Sequence, residues 1–278
     1  MNINSKSCLL ITDPHQNISW VKSILEKEKG NYDYIIFGGD FFDSFYSYPV
    51  VASVGQTADF VLEVLNGKYG PATVLNGNHS SPYMESRKSV MGYHSPKYLY
   101  TKCSGYTNNK SKDINKILSD EHWIKFEPFC VCNGYLISHA GFAKKFWNDD
   151  LNTDENLTSL YKEGKKGIFD LLYTKNTPGR FYDLGFARGG RDTVGGVFWL
   201  DWDCEFLDYK EIGPQIVGHS SVFNCIRKKD KSYCLDGMQT TYAILHDTGQ
   251  LELKSMVPDL IIRDDSDLNQ KIIDSWKY

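Results

Sequence analysis

The 278-residue sequence predicts a layered α/β fold. Two observations carry the prediction. Apolar runs of strand length alternate with stretches whose apolar residues recur at helical spacing, the pattern of parallel strands joined by helices. Five of those runs also stop abruptly at loops holding Asp, Asn or His, where the crevice of an open α/β sheet lies.

The elements follow in chain order. Leu9–Thr12 reads as a buried strand ended by Asp13-Pro14-His15. A helix starts after Asn17, a suitable N-cap, with Ile18, Val21, Ile24 and Leu25 on one face and Gly30 as its stop. Tyr34–Phe37 is the next strand, ended by Gly38-Gly39-Asp40, and Ser53–Leu65 the next helix. Ala72–Leu75 is a third strand, ended by Asn76-Gly77-Asn78-His79. Tyr83–Ser119 is polar and mixed, and reads as a partly helical insertion. Ile124–Glu127 and Phe129–Ser138 return to strand character, the latter folded into a hairpin at Asn133-Gly134 and ended by His139-Ala140-Gly141. Residues 143–192 read as a second polar insertion with helical pieces. Gln215–Val217 runs into Gly218-His219. Val222–Arg227 and Ser232–Leu235 flank a turn at 228–231, and Tyr242–His246 and Leu251–Leu253 flank one at 247–249. Without repeats or a Gly, Ser or Pro-rich linker, the expectation is one domain over 1–278 with insertions at about 83–122 and 143–192.

Composition excludes several classes. Hydrophobic residues at 41% and charged residues at 24% are those of a globular chain, not a disordered or fibrous one. A net charge of −4 argues against a broad nucleic-acid-coating surface. No apolar run approaches the roughly 20 residues of a membrane helix, and the polar start lacks a secretory signal. The seven cysteines are odd in number and without paired spacing. Cys130 and Cys132 share a strand face, where a bridge between near neighbours would be strained. Reduced thiols and a cytoplasmic location are expected. The Asn-x-Ser/Thr triplets at Asn17, Asn78, Asn109 and Asn156 are then chance matches.

The residues at the strand ends form one chemical set: Asp13 and His15, Asp40, Asn78 and His79, His139, and His219. Each alone is a common turn or surface residue. Together, imidazole and carboxylate suit manganese, iron or zinc, and the lack of thiols in these loops argues against a structural zinc or iron–sulfur site. His94, His122 and His246 lie outside these loops and read as surface or strand histidines. The basic run Arg227–Lys231 reads as a solvated hairpin tip. Trp199, Trp202 and Phe206 read as core or cleft wall.

The ordered motifs Asp13-Pro14-His15, Gly39-Asp40-Phe41-Phe42-Asp43, Gly77-Asn78-His79, Ser138-His139-Ala140-Gly141 and Gly218-His219 resemble the calcineurin-like metallophosphoesterase superfamily over about residues 9–253. The resemblance implies a four-layer sandwich of two mixed β-sheets flanked by helices. It implies two divalent metal ions, manganese foremost with iron or zinc compatible. Asp13, His15 and Asp40 would hold the first, with Asp40 bridging to a second held by Asn78, His139 and His219. The Gly-His-x-His ending common in the superfamily is Gly218-His219-Ser220-Ser221 here, so that last ligand is missing, as it is in the phosphoprotein phosphatase and diadenosine tetraphosphatase branch. Gly39-Asp40-Phe41-Phe42-Asp43 matches that branch up to its second Asp. There the His after the Asn acts as general acid, oriented by that Asp; here these are His79 and Asp43. His139-Ala140-Gly141 with Trp147, and Leu235-Asp236-Gly237, are similar to the diadenosine tetraphosphatases, and Phe198-Trp199-Leu200-Asp201 to the protein phosphatases.

The chain departs from that pattern in two places. The branch's phosphate-holding Arg after the second Asp is Ser44, and its Glu after Asn-His is Ser80. Arg188 and Arg191, in the Gly-rich stretch 187–196, are the candidates to replace the clamp, since a planar guanidinium suits phosphate. The expected function is hydrolysis of a phosphomonoester, including phosphoserine or phosphothreonine in proteins, by a hydroxide activated at a dinuclear metal site. A diadenosine tetraphosphate or related nucleotide is the alternative substrate, ahead of a cyclic nucleotide or a nucleic-acid phosphodiester. A non-catalytic binding scaffold of the same fold is the remaining reading, opposed by all six ligand positions being filled. The implied partner is a phosphorylated protein or nucleotide, without membrane or nucleic-acid association.

Overall fold

The computed structural model describes residues 1–45, 51–90, 99–101 and 103–268. His94 lies outside the described residues. Twelve strands form two mixed sheets among these residues. The five-stranded sheet has the order β11(Leu251–Ser255)-β10(Thr241–His246)-β2(Ser7–Ile11)-β3(Tyr34–Phe37)-β4(Ala72–Val74). The seven-stranded sheet has the order β1(Asn2–Ile3)-β5(Phe129–Cys132)-β6(Tyr135–Ser138)-β7(Gln215–Val217)-β9(Ser232–Cys234)-β8(Cys225–Lys229)-β12(Ile261–Asp264). β2, β3 and β4 run parallel, and so do β6, β7 and β9, so the loops that follow them gather at one end.

Strand alternation explains the layering. In β2 and β3, Leu9, Ile11, Ile35 and Phe37 point to the helical layer, while Cys8, Leu10 and Ile36 point to the space between the sheets. There they meet Ile137, Ile216, Ile226 and Leu245, with Cys130 and Cys132 on the shared face the spacing predicts. All seven cysteines are free thiols.

Helices cover the outer faces. α1 (Ile18–Lys27) opens with the Asn17 side chain accepting from the Trp20 N–H and buries Ile18, Trp20, Val21, Ile24 and Leu25. α2 (Val54–Leu65) opens on a Ser53–Gln56 capping box. On the other side, α6 (Thr153–Tyr173) runs 21 residues, longer than the helical pieces the polar sequence suggests, because Leu160, Ile168, Leu171 and Leu172 make a buried stripe among charged residues. Between them lie α3 (Ser81–Val90), α4 (Asn108–Ile117) and α5 (Asp120–Trp123).

Three sequence expectations are corrected. Ile124–Glu127 is not a strand: a turn follows α5, Trp123 and Phe126 are buried side chains of that turn region, and only Glu127 bridges Leu75. The late hairpin pairs Cys225–Lys229 with 232–234, three residues beyond the expected start. The basic run is not a solvated tip. Arg227 and Lys229 alternate inward on β8 and are fully buried. Arg227 pairs with Asp203 at 2.9 Å, and Lys229 Nζ donates to the Trp202 and Phe206 carbonyls at 2.5 and 2.9 Å.

Candidate metal centre

Five strand ends build the site. Asp13 and His15 follow β2, Asp40 follows β3, Asn78 and His79 follow β4, His139 follows β6, and His219 follows β7. Both sheets therefore contribute, which is why residues 206 positions apart touch: the His219 N–H donates to Asp13 at 3.1 Å. The backbone is strained at the carriers of this chemistry. Asp13, His15, Asp40, Asp43 and His219 have φ of +50°, +42°, +53°, +64° and +68°. Such conformations cost of order 1–3 kcal/mol each and collect at functional sites.

The side chains converge. His139 Nε2 lies 2.8 Å from Asn78 Oδ1, 3.2 Å from His219 Nδ1 and 3.2 Å from Asp40 Oδ2. His219 Nδ1 is 3.0 Å from Asn78 Oδ1. His139 is oriented from behind by Nδ1 against the Gly38 carbonyl at 2.8 Å, and His15 by Nδ1 against the Phe42 carbonyl at 3.1 Å. One donor atom each from Asp13, His15 and Asp40 falls within 4.8 Å of the others, and the same holds for Asp40, His139 and His219. Asp40 belongs to both groups. The six expected ligands are thus brought together.

The electrostatics suit cations. Burial and the neighbouring Asp236 push the Asp13 carboxyl well up; burial raises Asp236 to about 6. His139, against burial, is lifted to about 9 by Asp40 and Asp13, and its charge holds Asp40 low although burial opposes this. Burial takes His15 down to about 4 and His219 well below the usual imidazole range. Carboxylates crowded beside His15 and His219, whose rings burial keeps neutral, are short of positive charge even with His139 charged. The buried Nε2 of His219 has no hydrogen-bond partner, and the donor set is all imidazole, carboxylate and amide oxygen. These residues fit a pair of hard-to-borderline divalent ions.

Two glycines make the approach close enough. A Cβ on Gly77 would sit 2.2 Å from Asp40 Oδ1, and one on Gly218 would sit 2.0 Å from Asp13 Oδ2. Gly77→Ala or Gly218→Ala should therefore displace a ligand carboxylate and lower bound metal measured by elemental analysis. Full metal content in both variants would contradict the close approach.

His79 is held differently. Its N–H donates to Asp40 Oδ1 at 2.9 Å, while its ring Nδ1 faces Asp43 Oδ2 at 3.0 Å. Asp43 is fully buried and also accepts from Tyr83 Oη at 2.6 Å and Lys110 Nζ at 2.8 Å. Against burial, these donors keep its carboxyl below the usual range, His79 first and Lys110 next. Tyr83, Lys110 and Cys103 were not legible as site residues, because they come from a polar stretch without a strand-end signature.

The crevice above encloses about 260 Å³ and is lined by His15, Asp40, Asn78, His79, Trp199 and His219, among others. Phe45 flanks its mouth, 5.1 Å from the His15 ring and 5.0 Å from that of His79. Of the two candidate arginines, Arg188 lines the crevice, bonded to Ser220 Oγ at 2.7 Å and paired with Asp201 at 2.9 Å. Arg191 is exposed and does not line it. Trp199 is cleft wall, whereas Trp202 and Phe206 are core. His122 caps α5 through the Ser119 N–H.

The sequence profile of the calcineurin-like phosphoesterase family matches residues 7–223. No curated protein matches the chain by sequence. Among solved structures, a cold-active protein-tyrosine phosphatase of a psychrophilic Shewanella species is similar at 14% identity, covering 91% of this chain and 81% of its own, with a TM-score of 0.52. A second structure of a cold-active protein tyrosine phosphatase gives 14% identity, 91% and 80% coverage and a TM-score of 0.54. A protein serine/threonine phosphatase from Saccharomyces cerevisiae gives 10% identity, 93% and 84% coverage and 0.48. At 14% identity, the likeness to the first two is one of fold.

Proposed function

The chain belongs to the calcineurin-like phosphoesterase family, and as a metal-dependent phosphoester hydrolase, we propose, it acts on a phosphomonoester with a poor leaving group, such as phosphoserine or phosphothreonine. The observation that carries this reading is the Asp43–His79 pair beside the ligand set. In this reading Asp13, His15 and Asp40 hold one cation, and Asp40, Asn78, His139 and His219 the other, manganese being the expected metal. When bound, the two cations supply Lewis-acid charge to the phosphoryl oxygens and lower the pKa of water. His79 offers its second ring nitrogen to the leaving oxygen, and Asp43 fixes the ring by accepting from Nδ1. Tyr83 and Lys110 hold Asp43 in turn. No group of the chain is required to form a covalent phosphoenzyme.

Arg188 is the favoured phosphate partner, because Ser44 provides no cation. A guanidinium has donors to spare beyond those used by Ser220 and Asp201. Arg188→Ala should lower kcat/KM for a dianionic phosphoester by about 10- to 100-fold, since a hydrogen bond to a charged group contributes roughly 1.5–3 kcal/mol. Bound metal should be retained. Unchanged kinetics in Arg188→Ala, Arg191→Ala and the double variant would reject the clamp. A screen of the Mn²⁺-loaded protein against phosphoprotein, mononucleotide, dinucleoside polyphosphate and cyclic nucleotide tests the substrate class, with phosphoprotein or another monoester expected to lead. Preference for the dinucleoside polyphosphate would favour the nucleotide hydrolase reading.

A further inference from the structure

Beside the dinuclear ligand set lies a second constellation with different donors: Asp43, His79 and Cys103. All three are buried, Cys103 with 7% exposure, and they come from separate segments of the chain. His79 Nδ1 is 3.0 Å from Asp43 Oδ2 and 3.3 Å from Cys103 Sγ, and Sγ is 3.8 Å from the same Oδ2. A point just off the plane of that triangle lies about 2.0 Å from Nδ1 and Oδ2 and about 2.3 Å from Sγ, the distances zinc keeps from imidazole, carboxylate and thiolate. The spacing serves a hydrogen-bonded triad when the protons are present and admits a zinc ion when they leave. The far oxygen of Asp43 is fixed by Tyr83 and Lys110, so Oδ2 is aimed into the triangle. His79 and Ser104, the neighbour of Cys103, both line the crevice, so the triad lies directly behind its wall.

We propose that Asp43, His79 and Cys103 form an inhibitory zinc site, distinct from the dinuclear centre and selected by its one thiolate. Zinc binds Cys103 Sγ, His79 Nδ1 and Asp43 Oδ2; the thiol proton and the Nδ1 proton leave to solvent. A thiolate favours zinc over manganese, whereas the dinuclear ligands offer no sulfur. The effect on turnover rests on the acid role given above to His79. With zinc on Nδ1, the ring holds a single proton, and donating it would leave an imidazolate. The ring therefore stops serving the leaving oxygen.

Cobalt(II) is the probe, because only a cobalt–thiolate bond gives an intense near-ultraviolet charge-transfer band. Added to the Mn²⁺-loaded full-length protein, it should produce that band, and one equivalent of zinc should erase it. Cys103→Ser should lose the band, and His79→Asn should weaken or lose it. Cys204→Ser, which removes the exposed thiol, should keep it. A missing band in the unaltered protein, or a band that survives Cys103→Ser, would overturn the site. Retained circular dichroism in both Cys103→Ser and His79→Asn shows that neither loss is one of folding. With the band present, zinc should slow an alkyl phosphate by about 10²-fold more than para-nitrophenyl phosphate. Equal slowing would leave the zinc site standing and overturn the acid role of His79.

Discussion

Asp40→Asn should abolish turnover and strip metal while leaving the fold in place. Asp40 is the one carboxylate common to both ligand groups, and its two oxygens face different partners: Oδ1 the His79 N–H, Oδ2 the His139 ring. An amide keeps the Oδ1 acceptor, so the loop that follows β4 stays anchored. It removes the anionic oxygen that a second cation needs. Metal-derived charge stabilisation contributes several kcal/mol to such a reaction. At 1.36 kcal/mol per tenfold, the loss is about 10³-fold or more. Elemental analysis should show fewer than two bound ions, with an unchanged circular dichroism spectrum. A variant with both metals and near-normal turnover would remove Asp40 from the bridging position.

His79→Asn separates chemistry from binding. The backbone N–H of residue 79 still reaches Asp40, so the ligand set survives; only the ring is lost. General acid catalysis contributes typically about 10²–10⁴-fold where the leaving group is poor. Phosphoserine and alkyl phosphates should slow by that factor, whereas para-nitrophenyl phosphate, whose phenolate leaves unaided, should slow little. Asp43→Asn should give the same order with smaller losses, because it disturbs the orientation of the ring rather than removing the donor. Equal losses on both leaving groups would assign His79 to ground-state phosphate binding.

The strand ends were the legible part of this molecule. Asp13, His15, Asp40, Asn78, His139 and His219 announce themselves because an apolar run must stop before each, and parallel strands bring such stops to one end. Leu9–Thr12 read as a buried strand, but a continuous apolar run does not say which side chain faces which layer; the fold sends Leu9 to the helices and Leu10 between the sheets. What surrounds His79 was not legible. Tyr83, Cys103 and Lys110 reach Asp43 through α3, α4 and the segment between them, and a polar stretch carries no periodic sign of which residue turns inward. Charge misled in β8 for a related reason. Lys and Arg are seldom buried, and nothing local to Arg227 and Lys229 marks Asp203 and the Trp202 and Phe206 carbonyls as their partners. Ile124–Glu127 is a turn although Ile124 and Phe126 alternate with Lys125 and Glu127, because so short an alternation fits a turn over a core as well as it fits a strand. Arg188 and Arg191 looked equivalent in a Gly-rich run, and only the fold separates the one at the crevice from the one in solvent.

In the proposed centre, six side chains from five strand ends hold two cations with Asp40 between them. Crystals grown with Mn²⁺ and measured at its absorption edge test it most directly. Two anomalous peaks should appear, roughly 3.5–4 Å apart. One should lie against Asp13, His15 and Asp40, and the other against Asp40, Asn78, His139 and His219. A single peak, or two that do not share Asp40, would contradict it.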